Sequence, residues 1–233
     1  TDTIGQWKVQ FESGFDFATF RSNGARTKLL SGAPTKVRLG LHERIELFVE
    51  TDAFVYDIVD RNGKTKTSYG FADLAPGIKF AFFKGGGLWG LEPSSTLHLW
   101  LVMPTGNQGF TLDTWAPKAV LAFSWNIPSG IEARANIGSM LLDNKGERYH
   151  QGVFGVAFQR DWAPLTSKVG SFVEVYGTLA FSDAAVTTAV FNGGFFFIAN
   201  DRMRVDVSCR ARLYGDGLIA PEVAGGFGFT IKL

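Results

Sequence analysis

From Met203 to Leu213 the chain alternates without a slip. Met203, Val205, Val207, Cys209, Ala211 and Leu213 share one parity, and Arg204, Asp206, Arg210 and Arg212 fall on the other. A period of two sends these sets to opposite faces of a β-strand. A helix with this sequence would spread charge around its whole circumference. What remains to be decided is which face meets water.

The alternation recurs from Trp7 to the last residue, interrupted only by short polar, Gly-containing or Pro-containing pieces, and no 3.6-residue period persists. It predicts an all-β chain of twelve strands, at about 7–17, 28–41, 44–58, 70–83, 95–104, 116–127, 130–142, 148–161, 168–182, 186–199, 202–214 and 221–233. Most reach ten residues, whereas a typical soluble strand has about five or six and a tilted strand needs about nine to eleven to cross a bilayer. Connections after even-numbered segments are mostly short ("HER", "ND" in "ANDR"), with "KGGGLWGLEPS" the exception. Those after odd-numbered segments are longer and more polar ("VDRNGKTKTSY", "TGNQGFTLDTW"). Short turns at one end, longer loops at the other and an even strand count describe a transmembrane antiparallel β-barrel of the outer-membrane kind. With no linker and no low-complexity tract, residues 1–233 read as one domain.

In a soluble sandwich or small barrel the apolar parity would point inward. A closed barrel of about twelve strands has a lumen too wide for side chains to fill easily, so an inward apolar set would leave a wet hydrophobic cavity. An outward apolar set facing lipid avoids that. The polar parity fits an interior, because its basic and acidic residues are nearly equal in number and scattered over neighbouring strands, where they can pair. On this register the pore-lining residues are Arg38, Glu46, Glu50, Asp73, Lys79, Trp100, Arg134, Phe172, Glu174, Tyr176, Asn192, Phe196, Arg204, Asp206, Arg210 and Arg212. Aromatics near strand ends, among them Trp7, Trp125, Tyr149 and Trp162, suit interfacial girdles.

Other classes are disfavoured. With Lys+Arg 23 against Asp+Glu 22 there is no basic surplus to hold nucleic acid. The single cysteine, Cys209, cannot form an internal disulfide or a cysteine-based zinc cluster, and it reads as a small hydrophobe. No apolar run approaches the roughly 18 residues of a transmembrane helix. The opening "TDTIGQWKV" reads as a mature chain whose export signal has been removed, or as a trimmed one.

Several stretches resemble a bacterial outer-membrane channel family associated with the meta-pathway of phenol degradation. They are "KVRLGLHERIELFV" (36–49), "GFADLAPGIKFAF" (70–82), "LWLVMPTGN" (99–107), "LAFSWNIPSG" (121–130), "FVEVYG" (172–177) and "FNGGFFFIANDRMRVDVS" (191–208), in family order over most of the chain. The family pattern falls on Arg38, Gly40, Arg44, Glu46, Asp73, Gly77, Lys79, Glu174, Tyr176, Gly194 and Asp206. Asn192 stands where an acidic residue is usual, and the chain ends in Leu233 where an aromatic is usual. The resemblance implies passage of small hydrophobic compounds.

An enzymatic barrel is the competing class. A barrel lipase needs a Ser and a His together on the lipid side with a third group orienting the His. Of the three histidines, His98 falls on the lumen parity, His42 lies in a turn, and His150 begins a strand near Asp143, so no enzyme is expected. "SNG", "RNG" and "DNKG" read as hairpin turns. Pro76 and the glycines at 85–87 mark either a bulge, the favoured reading, or a point where the wall opens sideways. The expected function is passive uptake of small hydrophobic or aromatic molecules across the bacterial outer membrane; a narrow diffusion channel for polar solutes is the alternative. The expected partners are those solutes, outer-membrane lipid and lipopolysaccharide, for a monomer without cofactor, metal or nucleic acid.

Overall fold

A computed structural model describes residues 3–22, 25–85, 92–127, 130–144, 146–162, 169–182, 185–215 and 220–233. Its strands are β1 (Val9–Ser22), β2 (Ala25–Gly32), β3 (Thr35–His42), β4 (Ile45–Thr51), β5 (Phe54–Arg61), β6 (Lys64–Phe71), β7 (Ala75–Phe83), β8 (Ser94–Val102), β9 (Ala116–Ile127), β10 (Ile131–Asn144), β11 (Glu147–Asp161), β12 (Val169–Ala180), β13 (Thr188–Asn200), β14 (Met203–Tyr214) and β15 (Val223–Lys232). Twelve of them close into an antiparallel barrel in the order β1-β3-β4-β7-β8-β9-β10-β11-β12-β13-β14-β15, and β15 returns to β1 through pairs running from Gln10↔Lys232 to Thr19↔Val223.

The alternation decides which side is which. Leu47, Val49, Leu99, Leu121, Ile137, Val156, Val173, Phe195, Val207 and Phe227 are exposed on the outside of the wall, and Val207 keeps 54% of its surface. The opposite parity holds Glu46 at 1% and Lys79 at 4%. A water-soluble fold buries such residues the other way round, and a continuous apolar exterior of this extent requires lipid.

The segments expected at 28–41, 44–58 and 70–83 are not uninterrupted strands. Each is broken once, into β2 and β3 at Ala33–Pro34, into β4 and β5 at Asp52–Ala53, and into β6 and β7 at Ala72–Leu74. The breaks line up as one crease across the wall. Ala72 N–H donates to the Ala53 carbonyl at 2.8 Å, and Ala33 N–H donates to the Gly14 carbonyl at 2.9 Å. Ala33 and Ala53 take φ of 67° and 49°, left-handed values uncommon outside glycine. Parity reverses across the crease. Val37 and Leu39 are the exposed apolar residues of β3, whereas Leu30 is exposed on β2; Leu47 and Val49 are exposed on β4, whereas Phe54 is exposed on β5 and Val55 is buried. Beyond the crease, β2, β5 and β6 join the far half of β1 in a four-stranded flap on one side of the barrel end. Its last strand, β6, pairs only with β5 among the described residues and carries exposed Lys64 and Lys66, charges that discourage further strand addition at an edge.

Pro76 does not sit in a bulge, contrary to the favoured sequence reading. Gly77↔Trp100 and Leu74↔Met103 belong to one unshifted register, and the β7–β8 ladder lacks the rungs between them, at Ala75 and Pro76. The proline nitrogen has no hydrogen to give to the ladder. The irregularity in this pair lies instead between Ala81 and Phe83. Of the expected glycine run, 86 and 87 lie outside the described residues.

Candidate functional site

The candidate site is the barrel interior, where charge from neighbouring strands converges. The Arg38 guanidinium forks onto Glu46, Nε donating to Oε1 at 2.6 Å and Nη2 to Oε2 at 2.8 Å, while Nη1 donates to Glu12 Oε1 at 3.1 Å. Glu12 Oε1 also accepts Gln10 Nε2 at 2.6 Å, and Glu46 Oε2 accepts the Ile4 N–H at 3.1 Å. These bonds tie β1, β3, β4 and the residues ahead of β1 together at the short-turn end. A bidentate guanidinium–carboxylate pair fixes geometry as well as charge. Lys36 pairs with Glu50 at 3.1 Å on the next level.

The other wall repeats the theme. Arg210 pairs with Asp16 across β14 and β1. Arg134 forks onto Glu132 of its own strand, with both bonds at 2.7 Å. Arg204 lies over the Phe196 ring, 3.9 Å from its centroid, and Arg212 Nη1 donates to the Ala220 carbonyl at 3.3 Å. Asn192 Nδ2 donates to Glu174 Oε2 at 3.2 Å. At this position an amide supplies the donor that a second carboxylate could not.

Between the charges lie aromatic rings seated on glycines of the adjoining strand. A Cβ on Gly77 would stand 2.3 Å from the Phe48 ring, and one on Gly170 would stand 2.1 Å from the Phe196 ring. Only glycine lets those rings lie flat against the wall. Phe48 then meets Trp100 edge to face, with centroids 5.4 Å apart, while Lys36 and Lys118 lie over the Trp100 ring at 5.8 and 4.9 Å. Phe172 packs similarly over Gly194. Sequence reasoning missed Phe48, although it shares the parity of Glu46 and Glu50, and Gly77 on the paired strand was the available signal. Beside Arg38, Glu46, Phe48, Lys79 and His98 the interior keeps a cavity of about 150 Å³.

Asp73 is not in the wall. It sits in the crease and holds the loop 103–115, Oδ1 accepting the Gly106 N–H at 2.8 Å and Oδ2 the Leu112 N–H at 2.8 Å. Asn107 adds a second clasp, its Oδ1 accepting the Phe71 N–H at 2.7 Å. Asp73 precedes β7, whose nine residues suffice to cross an apolar slab. Partial burial opposes its charge, but the bonds from Leu112, Gly106, Thr111 and Thr105 outweigh this and hold the carboxyl below its ordinary value. A depressed carboxylate stabilises the clasp above its unfolded pKa of about 3.9, and that contribution is lost as pH falls through the lower folded value. Asp73→Ala is therefore expected to speed chymotrypsin cleavage within 103–115 on the order of tenfold at neutral pH. Cleavage at the wild-type rate would remove this role.

Of the enzyme candidates, His150 meets Ser139 rather than Asp143. Ser139 Oγ and His150 Nδ1 lie 3.1 Å apart on the outward parity, while Asp143 Oδ1 accepts the Gly146 N–H in its own turn. No carboxylate hydrogen-bonds His150 among the described residues. His98 Nε2 lies 3.0 Å from Thr96 Oγ1 in the interior.

No family model and no curated protein matches this sequence. Solved structures match its fold. The COG4313 outer membrane channel from Pseudomonas putida F1 superposes with a TM-score of 0.74 at 12% identity, covering 100% of this chain and 97% of that one. The chain has the outer-membrane barrel fold. The beta domain of the Bordetella autotransporter BrkA follows at 0.58 and 14% identity, and the KdgM porin, solved with disordered oligogalacturonate, at 0.57 and 7%. Each spans 96% of this chain and 98% of its own. At such identities the likeness speaks for the fold.

Proposed function

We propose that this protein is a channel of the bacterial outer membrane that admits small apolar or monoaromatic molecules by passive diffusion, as its resemblance to the meta-pathway family implies. The observation that carries the reading is the interior's composition. Three of its guanidinium groups are held by carboxylates, in Arg38–Glu46, Arg134–Glu132 and Arg210–Asp16, while Phe48, Trp100 and Phe196 present ring surface between them. Paired charges need no counter-ion from a solute, and aromatic faces offer an apolar ring a partner for its desolvated surface.

On this reading the pore is lined by Arg38, Glu46, Glu50, Lys79, Trp100, Arg134, Phe172, Glu174, Tyr176, Asn192, Phe196, Arg204, Asp206, Arg210 and Arg212, with Phe48 added, and Asp73 is reassigned to the loop clasp. The chain acts as a channel and not as an enzyme. The test compares uptake of a monoaromatic with uptake of a small sugar in cells with and without the protein, and with Trp100→Ala/Phe196→Ala. The double substitution is expected to change aromatic uptake severalfold more than sugar uptake. Equal effects on both solutes would favour a diffusion channel for polar solutes, and no effect of deletion on either would refute the reading.

A further inference from the structure

The outward face of the flap is graded along its height. Antiparallel partners share a face, so the pairings define rows across β1, β2, β5 and β6. Nearest the crease stand exposed Phe54 and Phe71, and the next row brings exposed Leu30 and Tyr69. Then comes Lys28, opposite Thr19, and beyond it Arg21 directly opposite Arg26. Arg21 and Arg26 are exposed and Lys28 is half-buried. The apolar rows continue the lipid-facing belt, so the three cations stand just past its rim, at the end carrying the longer connections.

Two features make this more than a solvated edge. Like charges directly opposite one another on an antiparallel pair destabilise it, yet Arg21 faces Arg26, and the ion pair that either makes among the described residues is a loose 3.8 Å contact from Arg21 to Glu222. No ion pair to Arg26 or Lys28 occurs among the described residues. Asp60 lies opposite Arg26 in the register, but its Oδ1 accepts the Thr65 hydroxyl at 2.6 Å. An anion seated between the facing guanidinium groups would turn the repulsion into attraction, with oxygen acceptors matching the arginine fork.

We infer that this face binds the phosphorylated headgroup of the outer-leaflet glycolipid, lipid A, with Arg21, Arg26 and Lys28 on its phosphates and the Phe54, Tyr69 and Phe71 rings against its acyl chains. The inference rests on the outer-membrane reading and gives the lipopolysaccharide expected as a partner a defined site on the barrel. What selects lipid A is charge complementarity at a fixed height: its sugar-linked phosphates lie at the boundary between acyl chains and water, where the rows change from apolar to cationic.

The test titrates folded protein in detergent micelles with lipid A bearing both phosphates, the same lipid stripped of them, and phosphatidylglycerol, and reads bound lipid by native mass spectrometry. The wild type is expected to retain phosphorylated lipid A in preference to the other two. Arg21→Gln/Arg26→Gln/Lys28→Gln is expected to weaken that binding by roughly tenfold or more, while Arg148→Gln, an exposed cation on β11, leaves it unchanged. Heat-dependent gel migration verifies that each variant is folded. Undiminished binding by the triple variant, or phosphatidylglycerol bound as tightly as lipid A, would overturn the assignment. Conductance of the same samples in planar bilayers tests the channel separately, so a barrel that conducts but shows no lipid A preference sinks only this inference.

Discussion

Val207→Arg is expected to cost about 2–4 kcal/mol of folding free energy in liposomes, and Ser208→Arg far less. Val207 lies on the outer face of β14, 54% exposed, between Phe195 and Phe227 in the register. A guanidinium there must be driven into hydrocarbon or pull water after it. Ser208 looks inward, opposite Gly194 and Gly226, where a long polar side chain has both room and neighbours of its own kind. Equilibrium unfolding of the two variants in the same lipid checks this. Equal costs would mean that the exterior does not face lipid.

A loss of similar size is expected inside. Arg38→Met takes from the Glu46 carboxylate, which is 1% exposed, the guanidinium that gives it two hydrogen bonds. Removing one partner of a buried pair costs about 3–5 kcal/mol, whereas replacing both is often close to neutral. The double substitution Arg38→Met/Glu46→Leu is therefore expected to recover most of the stability lost in the single one. Urea titration of both variants gives the comparison, and additive losses would show that the two side chains act independently.

The barrel was legible because lipid and lumen impose opposite demands on successive residues. Ile45, Leu47 and Val49 alternate with Glu46 and Glu50 as plainly in the sequence as in the wall. The crease was harder to see, because each half of a broken strand keeps its own alternation and only the phase changes, within "SGAPTK", "TDAF" and "FADLAP". At two of the breaks the reversal accompanies a single Ala at positive φ, Ala33 and Ala53, and alanine carries no sequence mark of that conformation, although Pro34 and Asp73 stood beside two of the breaks. Contacts between the lining side chains were out of reach for another reason. Parity says that Arg38 and Glu46 share a face, but pairing β3 with β4 in the observed register is what brings them within bonding distance. The seating of Phe48 on Gly77 is likewise a property of two strands together.

The seam between the first and last strands sets an order of events for the growing chain. Thr19 bonds to Val223, 204 positions later, so β1 cannot find this neighbour until nearly every other strand exists. The hairpins from β8 onward can form from local partners soon after they are made, but the cylinder closes last, against the largest loop-closure entropy in the molecule. Until then it is an open ribbon with two unpaired margins and a greasy outer surface, the state most prone to stick to other chains. Such a polypeptide must be held apart from its copies in transit, and the step that ends its vulnerability is the joining of its two ends.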